Sequence, residues 1–239
     1  DCKYDLSHPQ PVHSRGCAST MVDAQRLMPE APRPYGWQSF VLIGILAGMV
    51  ALPSLTAGLY DDDFWQRRFL LEELAGLRDV GWWKMFGVPL EPGVVPQLVY
   101  RGFLPWWTSP GFQLSFFRPL SVATHFLDYA LWPASPELMH LQNVLLYVAL
   151  CLVVYAFYRQ IFGASKLALW AALFYALDDA HLEAVSWVAA RNSLLTAFFC
   201  ILSISVLHKS IEEGCSARAW AAAGLIFLAH LSSEGALAV

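Results

Sequence analysis

Apolar positions along the 239 residues fall in long blocks rather than at the 3.6-residue helical or 2-residue strand period. Blocks approaching about 20 residues read as membrane-spanning helices. The first is 39–59, SFVLIGILAGMVALPSLTAGL, where Pro53 predicts a kink. The second is 139–161. Two more runs, 167–177 and 194–207, flank a polar stretch, and a last run, 219–239, starts back across. The pattern predicts an all-α, polytopic helical membrane protein. Residues 1–38 are polar, carry Pro9, Pro11, Pro29, Pro32 and Pro34, and show no period, which predicts a disordered tail. Residues 39–239 then form the transmembrane module.

Charge orients these blocks. Arg15, Arg26 and Arg33 precede the first run, and Arg159, Lys166, Lys209 and Arg218 cluster at two short turns. Basic residues favour the inner face, so 1–38, 162–166 and 208–217 are expected inside. Asp61–Arg118 and Asp178–Arg191 are then expected outside. Composition agrees with a membrane protein: 14% of residues are charged and 57% hydrophobic, against about 25% charged in a soluble domain. The net charge of −4 gives no basic footprint for nucleic acid. The five cysteines show neither a disulfide framework nor a C-x-x-C metal spacing. The chain begins at Asp1, which makes Met21 a candidate natural start, and it stops at Val239 within an apolar run. We therefore expect an N-terminal piece of a longer protein.

Polar residues at the outer ends of these blocks are the candidate chemistry. DDAHLEAVSWVAARNS, 178–193, crowds Asp178, Asp179, His181, Glu183, Arg191 and Asn192 between two apolar runs. A plain turn uses Gly or Pro, and this stretch has neither. It reads as a packed, re-entrant segment, because ionisable groups at membrane depth are costly to keep. Asp61, Asp62 and Asp63 follow the first run. Leu70, Leu74 and Leu77 place a helix after them, so capping is the first reading of the acids. Adjacent carboxylates also raise one another's pKa, which suits a general base or a cation site.

The outer loop 64–118 carries Trp82-Trp83 and Trp106-Trp107, which predict short interfacial helices. Arg118, before Pro119, opens an amphipathic helix with His125 and Asp128. It suits a substrate phosphate or a lipid head group equally. His140, Asn143 and Tyr147 make a polar stripe on the next helix, a pattern common in interhelical hydrogen bonding. Glu234, in the last run, needs a partner or an aqueous cavity.

The order of these motifs carries a resemblance: Asp61-Asp62-Asp63, Arg118-Pro119-Leu120, His140-Leu141-Gln142-Asn143, then His181-x-Glu183-Ala184-Val185-x-Trp187 with Arg191, and finally Ser232-Ser233-Glu234. From about residue 39 onward the chain resembles the N-terminal part of GT-C membrane glycosyltransferases, in particular protein O-mannosyltransferase-like proteins. The resemblance implies transfer of a sugar from a polyprenyl-phosphate-linked donor to a protein or glycan acceptor on the extracytoplasmic face. The family's base falls on Asp62 or Asp63, and His181 and Glu183 match a motif that lines its site. Arg118 and Arg191 are implied to hold the carrier phosphate. Asp61, His140, Asn143, Asp178, Asn192 and Glu234 complete the candidate substrate-binding set. Two departures stand out: Asp178-Asp179 where relatives often have His-Pro, and Asn192 where Asp is common.

A divalent cation, Mn²⁺ or Mg²⁺, is the candidate cofactor, with Asp62, Asp63 and His181 as candidate ligands. A bacterial plasma membrane is preferred over the endoplasmic reticulum. Two other function classes remain: a transporter or flippase with an intramembrane ion relay, and a catalytically dead scaffold. The spatial expectation is a single outward cavity. In it Asp62 or Asp63 approaches His181 and Glu183, and Arg118 or Arg191 borders the same space.

Overall fold

The computed structural model describes residues 36–77, 79–88 and 93–238. Most of the expected tail lies outside them, but Trp37 and Gln38 belong to the first helix, α1, Trp37–Ala51. Its continuation, Leu52–Thr56, tightens to 3₁₀. Pro53 has no N–H to give an α-helical bond, so the chain changes pitch where a kink is expected. The Ser54 hydroxyl donates to the Ala51 carbonyl at 2.6 Å and ties the junction.

Helix α2, Asp62–Leu74, follows. It stops short of Leu77 because Gly76, at φ 69°, turns left-handed. The amides of Gly76 and Leu77 then close back on the carbonyls of Glu73 and Glu72 respectively. The outer loop holds a 3₁₀ turn at Trp82–Lys84, helix α3 (Val94–Tyr100), and a short antiparallel ladder pairing β1 (Gly87–Val88) with β2 (Leu114–Ser115). Trp82 and Trp83 thus sit in a helical turn as expected, but Trp106 and Trp107 do not. They occupy a tight turn closed by Thr108 on the Pro105 carbonyl, and their rings are exposed. Pro105 and Pro110 bracket too few residues for a helix there.

Helices α4 (Pro119–Leu131) and α5 (Pro136–Phe162) are joined by a short turn. Helix α6, Lys166–Leu177, is capped by the Ser165 hydroxyl, which accepts from the Ala168 amide. The stretch from 178 is neither a plain turn nor a long helix. It is a 3₁₀ turn (Asp179–His181), the five-residue α7 (Leu182–Ser186), and a second 3₁₀ turn (Val188–Ala190). Val185, Val188 and Ala189 are buried within it. It feeds α8, Arg191–Glu213, and then α9, Ser216–Ser232. The last run is therefore not one helix to the end. Ser233 is extended, and Glu234–Ala238 form a separate 3₁₀ turn.

Three helical segments are long and apolar enough to cross a membrane: Trp37–Thr56, Pro136–Phe162 and Val188–Glu213. Helix α6, with 12 residues, is about 18 Å long at about 1.5 Å per residue, shorter than the roughly 30 Å hydrocarbon layer. The bundle core lies among α1, α5, α6 and α8, built from Ile43, Ala47, Tyr147, Leu150, Ala172 and Leu194. Small residues on α1 and α6 let these helices approach closely. Outward faces remain apolar: Val41, Ile45 and Met49 on α1, Leu141 and Leu145 on α5, Trp170 and Phe174 on α6. In water such faces would be aggregation sites, whereas in lipid they are the solvent-facing surface. A second apolar cluster, Phe69, Leu70, Met85, Val122, Tyr129, Met139 and Val188, joins α2, α4 and the start of α5. This layer sits where the loops expected outside converge, and it carries the site.

Candidate active site

Helix α4 is amphipathic, and Ser121, His125 and Asp128 fall on its buried face at i, i+4 and i+7. A buried carboxylate needs a cation, and Asp128 has one: Arg191 Nη1 lies 2.6 Å from its Oδ2. Gln142 Nε2 donates to Asp128 Oδ1 at 2.5 Å. Arg191 is also held by Asn143, whose Oδ1 accepts from Nε at 2.7 Å, and by the Met139 carbonyl, which accepts from Nη2 at 3.1 Å. Asn143 Nδ2 donates in turn to the carbonyls of Val185 and Trp187, both at 3.2 Å. Arg191, Asp128 and Asn143 are buried. Together they pin the 185–191 stretch to α5 and α4.

Asp63 adds a second tie. It is fully buried. Its Oδ1 accepts from the Ala189 amide at 2.7 Å, across 126 positions of sequence, and its Oδ2 accepts from the Tyr60 amide at 3.2 Å. Burial pushes the Asp63 carboxyl up, and the two amide bonds and His140 pull against it. His140 Nε2 donates to the Gly58 carbonyl at 2.8 Å, so the end of the first span is fixed as well. Asp61 stands at φ 49°, ψ −120°, with the Asp63 amide bonded to the Tyr60 carbonyl. That is the first central position of a type II′ turn, one that Gly ordinarily takes. Asp62 and Asp63 are successive residues of α2, about 100° apart around its axis, so Asp63 is buried while Asp62 is exposed.

Asp62 and Arg118 face one cavity of about 320 Å³, lined also by Trp65, Gln66, Trp187 and Asn192. Burial, then the charge of Asp61, raises the Asp62 carboxyl above its ordinary range. Arg118 lies between the rings of Phe86 and Phe116, 4.9 and 4.6 Å from their centroids. Its Nε donates to Glu234 Oε2 at 2.8 Å, and its Nη2 donates to the other carboxylate oxygen. That hydrogen bond holds the Glu234 carboxyl below its ordinary range. With its amide oriented to satisfy both neighbours, Asn192 donates to the Ala189 carbonyl at 3.0 Å and accepts from Arg118 Nη1 at 3.3 Å. The cavity thus has a carboxylate with raised proton affinity on one wall and an oriented guanidinium on another.

The candidates read from sequence divide into three groups. Asp62, Arg118 and Asn192 line the cavity, and Glu234 holds Arg118 from outside it. Asp63, His140, Asn143 and Arg191 are spent in hydrogen bonds that position the walls. Asp178, His181 and Glu183 do not line this space. The cavity expected between the acids and His181 and Glu183 instead sets Asp62 against Trp187, Ala189, Ala190, Asn192 and Ser193, from the other half of the same segment. Asp178 Oδ1 accepts from the Ala180 amide, a local turn cap. The His181 ring packs on Tyr175 at 4.3 Å and Tyr147 at 6.0 Å. Glu183 is exposed and near Tyr60, whose ring stacks on Trp187 at 5.6 Å. The helical turns after Asp178 rotate these side chains off the cavity axis.

The proposed cation ligands do not converge either. Among the described residues no three His, Cys, Asp or Glu side chains are grouped to hold a metal. Both oxygens of Asp63 already accept backbone amides. Asp62, Asp63 and His181 therefore do not fit Mn²⁺ or Mg²⁺ as a set. Asp128 and His125 are the polar residues that sequence reasoning left without a role. Their signal was the spacing with Ser121. His125 is wholly buried with neither ring nitrogen paired, and burial, then Arg191, holds it well below its ordinary pKa.

No family model matches this chain, and no solved structure matches it. Curated relatives do. The chain is 30% identical to the human protein O-mannosyl-transferase TMTC1 over 100 residues, 41% of this chain and 11% of that protein. It is 28% identical to the Caenorhabditis elegans protein O-mannosyl-transferase F38B6.6 over 124 residues, 51% of this chain and 17% of the relative. With human protein O-mannosyl-transferase TMTC3 it shares 34% identity over 94 residues, 39% of this chain and 10% of the relative. The matched stretch thus spans only a small part of these proteins. Over that stretch the resemblance read from the motifs is found again: the chain's homologues are protein O-mannosyl-transferases, at modest identity.

Proposed function

We propose that this chain forms part of a membrane glycosyltransferase that moves a hexose, mannose in the first instance, from a polyprenyl-phosphate donor to a protein hydroxyl. The observation that carries the reading is the pairing of Asp62 and Arg118 across one cavity. Asp62 is the general base, because it lines the cavity with a raised proton affinity and its neighbour Asp63 is already committed to two amides. In the transfer, Asp62 takes the acceptor hydroxyl proton as that oxygen bonds to the anomeric carbon. The bond from that carbon to the donor phosphate oxygen breaks, and its electron pair leaves with the phosphate. Arg118 meets the charge that develops there, with Nη1 as the donor facing Asn192 and the cavity. Trp65 and Trp187 offer flat apolar walls for a sugar ring. The names of the relatives support mannose and a protein acceptor.

The cavity opens on the extracytoplasmic side in this reading, with the basic turns at 162–166 and 208–217 inside. The relatives named above are animal proteins, which lends no support to the bacterial membrane expected from sequence and favours the endoplasmic reticulum. Membranes carrying the protein, given radiolabelled polyprenyl-phosphate mannose and an acceptor peptide, test the proposal. Transfer should need both Asp62 and Arg118. Solute flux in proteoliposomes without any transfer contradicts it and favours the transporter class.

A further inference from the structure

The bundle has a second polar cavity, at the end opposite the candidate active site. It has a volume of about 280 Å³ and is lined by Phe40, Ala156, Arg159, Gln160, Ala164 and Lys209. Phe40 is near the start of α1, Arg159 near the end of α5 and Lys209 near the end of α8. The other ends of these segments carry Gly58, His140 and Arg191, so the two cavities lie at opposite ends of the same helices.

Two cations share this space without an acid. Among the described residues neither Arg159 nor Lys209 has a carboxylate at ion-pair distance. Of the acids nearest in sequence, Glu213 is paired with Arg218, and Glu212 lies 3.5 Å from His208. Arg159 is also held in place. Its guanidinium stands 5.4 Å from the Phe40 ring centroid and 5.7 Å from that of Tyr155. A guanidinium against two rings keeps its N–H edge for a ligand. Gln160 Nε2 donates to Ser205 at 2.5 Å and locks α5 to α8 beneath the cavity. Two unpaired cations, one pre-oriented, held by a fixed pair of helices, form a phosphate-binding arrangement.

We propose that this cavity binds the phosphate of an anionic phospholipid head group. The shared chemistry is a phosphate held by one guanidinium and one ammonium. Location assigns it to a lipid rather than to a soluble ion. The cavity lies where two candidate spans end and a third begins, Phe40, Ala156 and Ala164 supply apolar contact, and Trp37, exposed at the start of the same helix as Phe40, suits a membrane boundary. Basic pockets between helix ends on the inner side of a membrane are suited to such head groups.

The test is native mass spectrometry of the protein in detergent, titrated with phosphatidylglycerol, with phosphatidylcholine, and with inorganic phosphate. The expected result is one phosphatidylglycerol retained in preference to phosphatidylcholine. Lys209→Glu changes an exposed side chain, so the fold survives, and it should weaken retention by about thirtyfold, as loss and reversal of one near-surface charge implies. Arg159→Gln with Lys209→Gln should abolish the preference. If that pair fails to fold, Lys209→Glu alone decides. Unchanged retention in Lys209→Glu, or equal retention of the two lipids by the wild type, overturns the proposal. Competition by millimolar inorganic phosphate as effective as the lipid overturns the lipid assignment. Sugar transfer by the opposite cavity is a separate readout, so failure here and failure of the glycosyltransferase reading are distinguishable.

Discussion

Arg118 and Arg191 read alike in the sequence, each an arginine at the outer edge of an apolar run and each a candidate for the same phosphate. The structure gives them opposite work. Arg191 is 2% exposed, and its guanidinium is shared among Asp128, Asn143 and the Met139 carbonyl. Buried in this way, it does not border the cavity. Arg118 lies on the cavity wall, gripped on one edge by Glu234 and left with Nη1 toward Asn192 and the open space. The same division separates Asp63 from Asp62. What decides function here is not the residue type but whether the fold leaves its polar atoms open to the cavity or buries them among partners.

The comparison can be broken most strongly at Arg191. Arg191→Met leaves Asp128 buried without its cation, which should cost about 3–5 kcal/mol and abolish a cooperative melt in detergent. Arg118→Met should melt close to wild type and lose donor binding. A double variant, Asp128→Leu with Arg191→Met, sharpens the point. It should recover much of the stability, because an apolar pair replaces a buried ion pair at little cost. Equal damage from Arg118→Met and Arg191→Met would erase the distinction.

Next in size is Asp63→Asn. The substitution turns one of two acceptors into a donor facing a backbone amide, so a buried N–H at Ala189 or at Tyr60 loses its partner. About 1–3 kcal/mol of stability should go, read as a lower melting temperature. Asp61→Gly acts in the other direction. Glycine relieves the φ 49° conformation, and about 1 kcal/mol of stability should be gained if the strain is only local. If transfer falls while stability rises, the strained turn serves to aim Asp62.

The smallest effect belongs to Glu234. Its folded carboxyl titrates below the ordinary value of 4.5 because Arg118 is hydrogen-bonded to it. The stabilisation is therefore complete above that value and is lost as pH falls through the lower folded one. Protease protection of the 234–238 turn should weaken in that acid window, and Glu234→Gln should flatten the pH dependence.

Much of the fold was legible because membrane helices announce themselves by length and apolarity. The first and second runs became spanning segments within about three residues, and the fourth, read as 194–207, lies inside the longer Val188–Glu213. The failures have local causes. Ser233 breaks the last run because its hydroxyl and extended backbone close a turn onto Gly235, which hydropathy does not register. In the site, Glu234's need for a partner was legible, but the partner, Arg118, lies 116 positions away. The Asp63 bond to Ala189 was not legible, since three adjacent aspartates look alike until the packing of α2 fixes which of them faces inward. His181 and Glu183 stay off the lining of this cavity because the short helical turns from Asp179 to Ala190 fix which side chains reach it, and a motif's composition does not show that.

The central claim is that Asp62 is the base and Asp63 its support. The most direct test is mannose transfer to an acceptor peptide by membranes carrying Asp62→Asn, with binding of the polyprenyl-phosphate donor measured in the same preparation. The account predicts a loss of about a hundredfold or more in transfer, in the range typical for removing a general base, with donor binding and melting temperature near wild type. Full transfer by Asp62→Asn would place the base elsewhere and return the three aspartates to the role of helix caps.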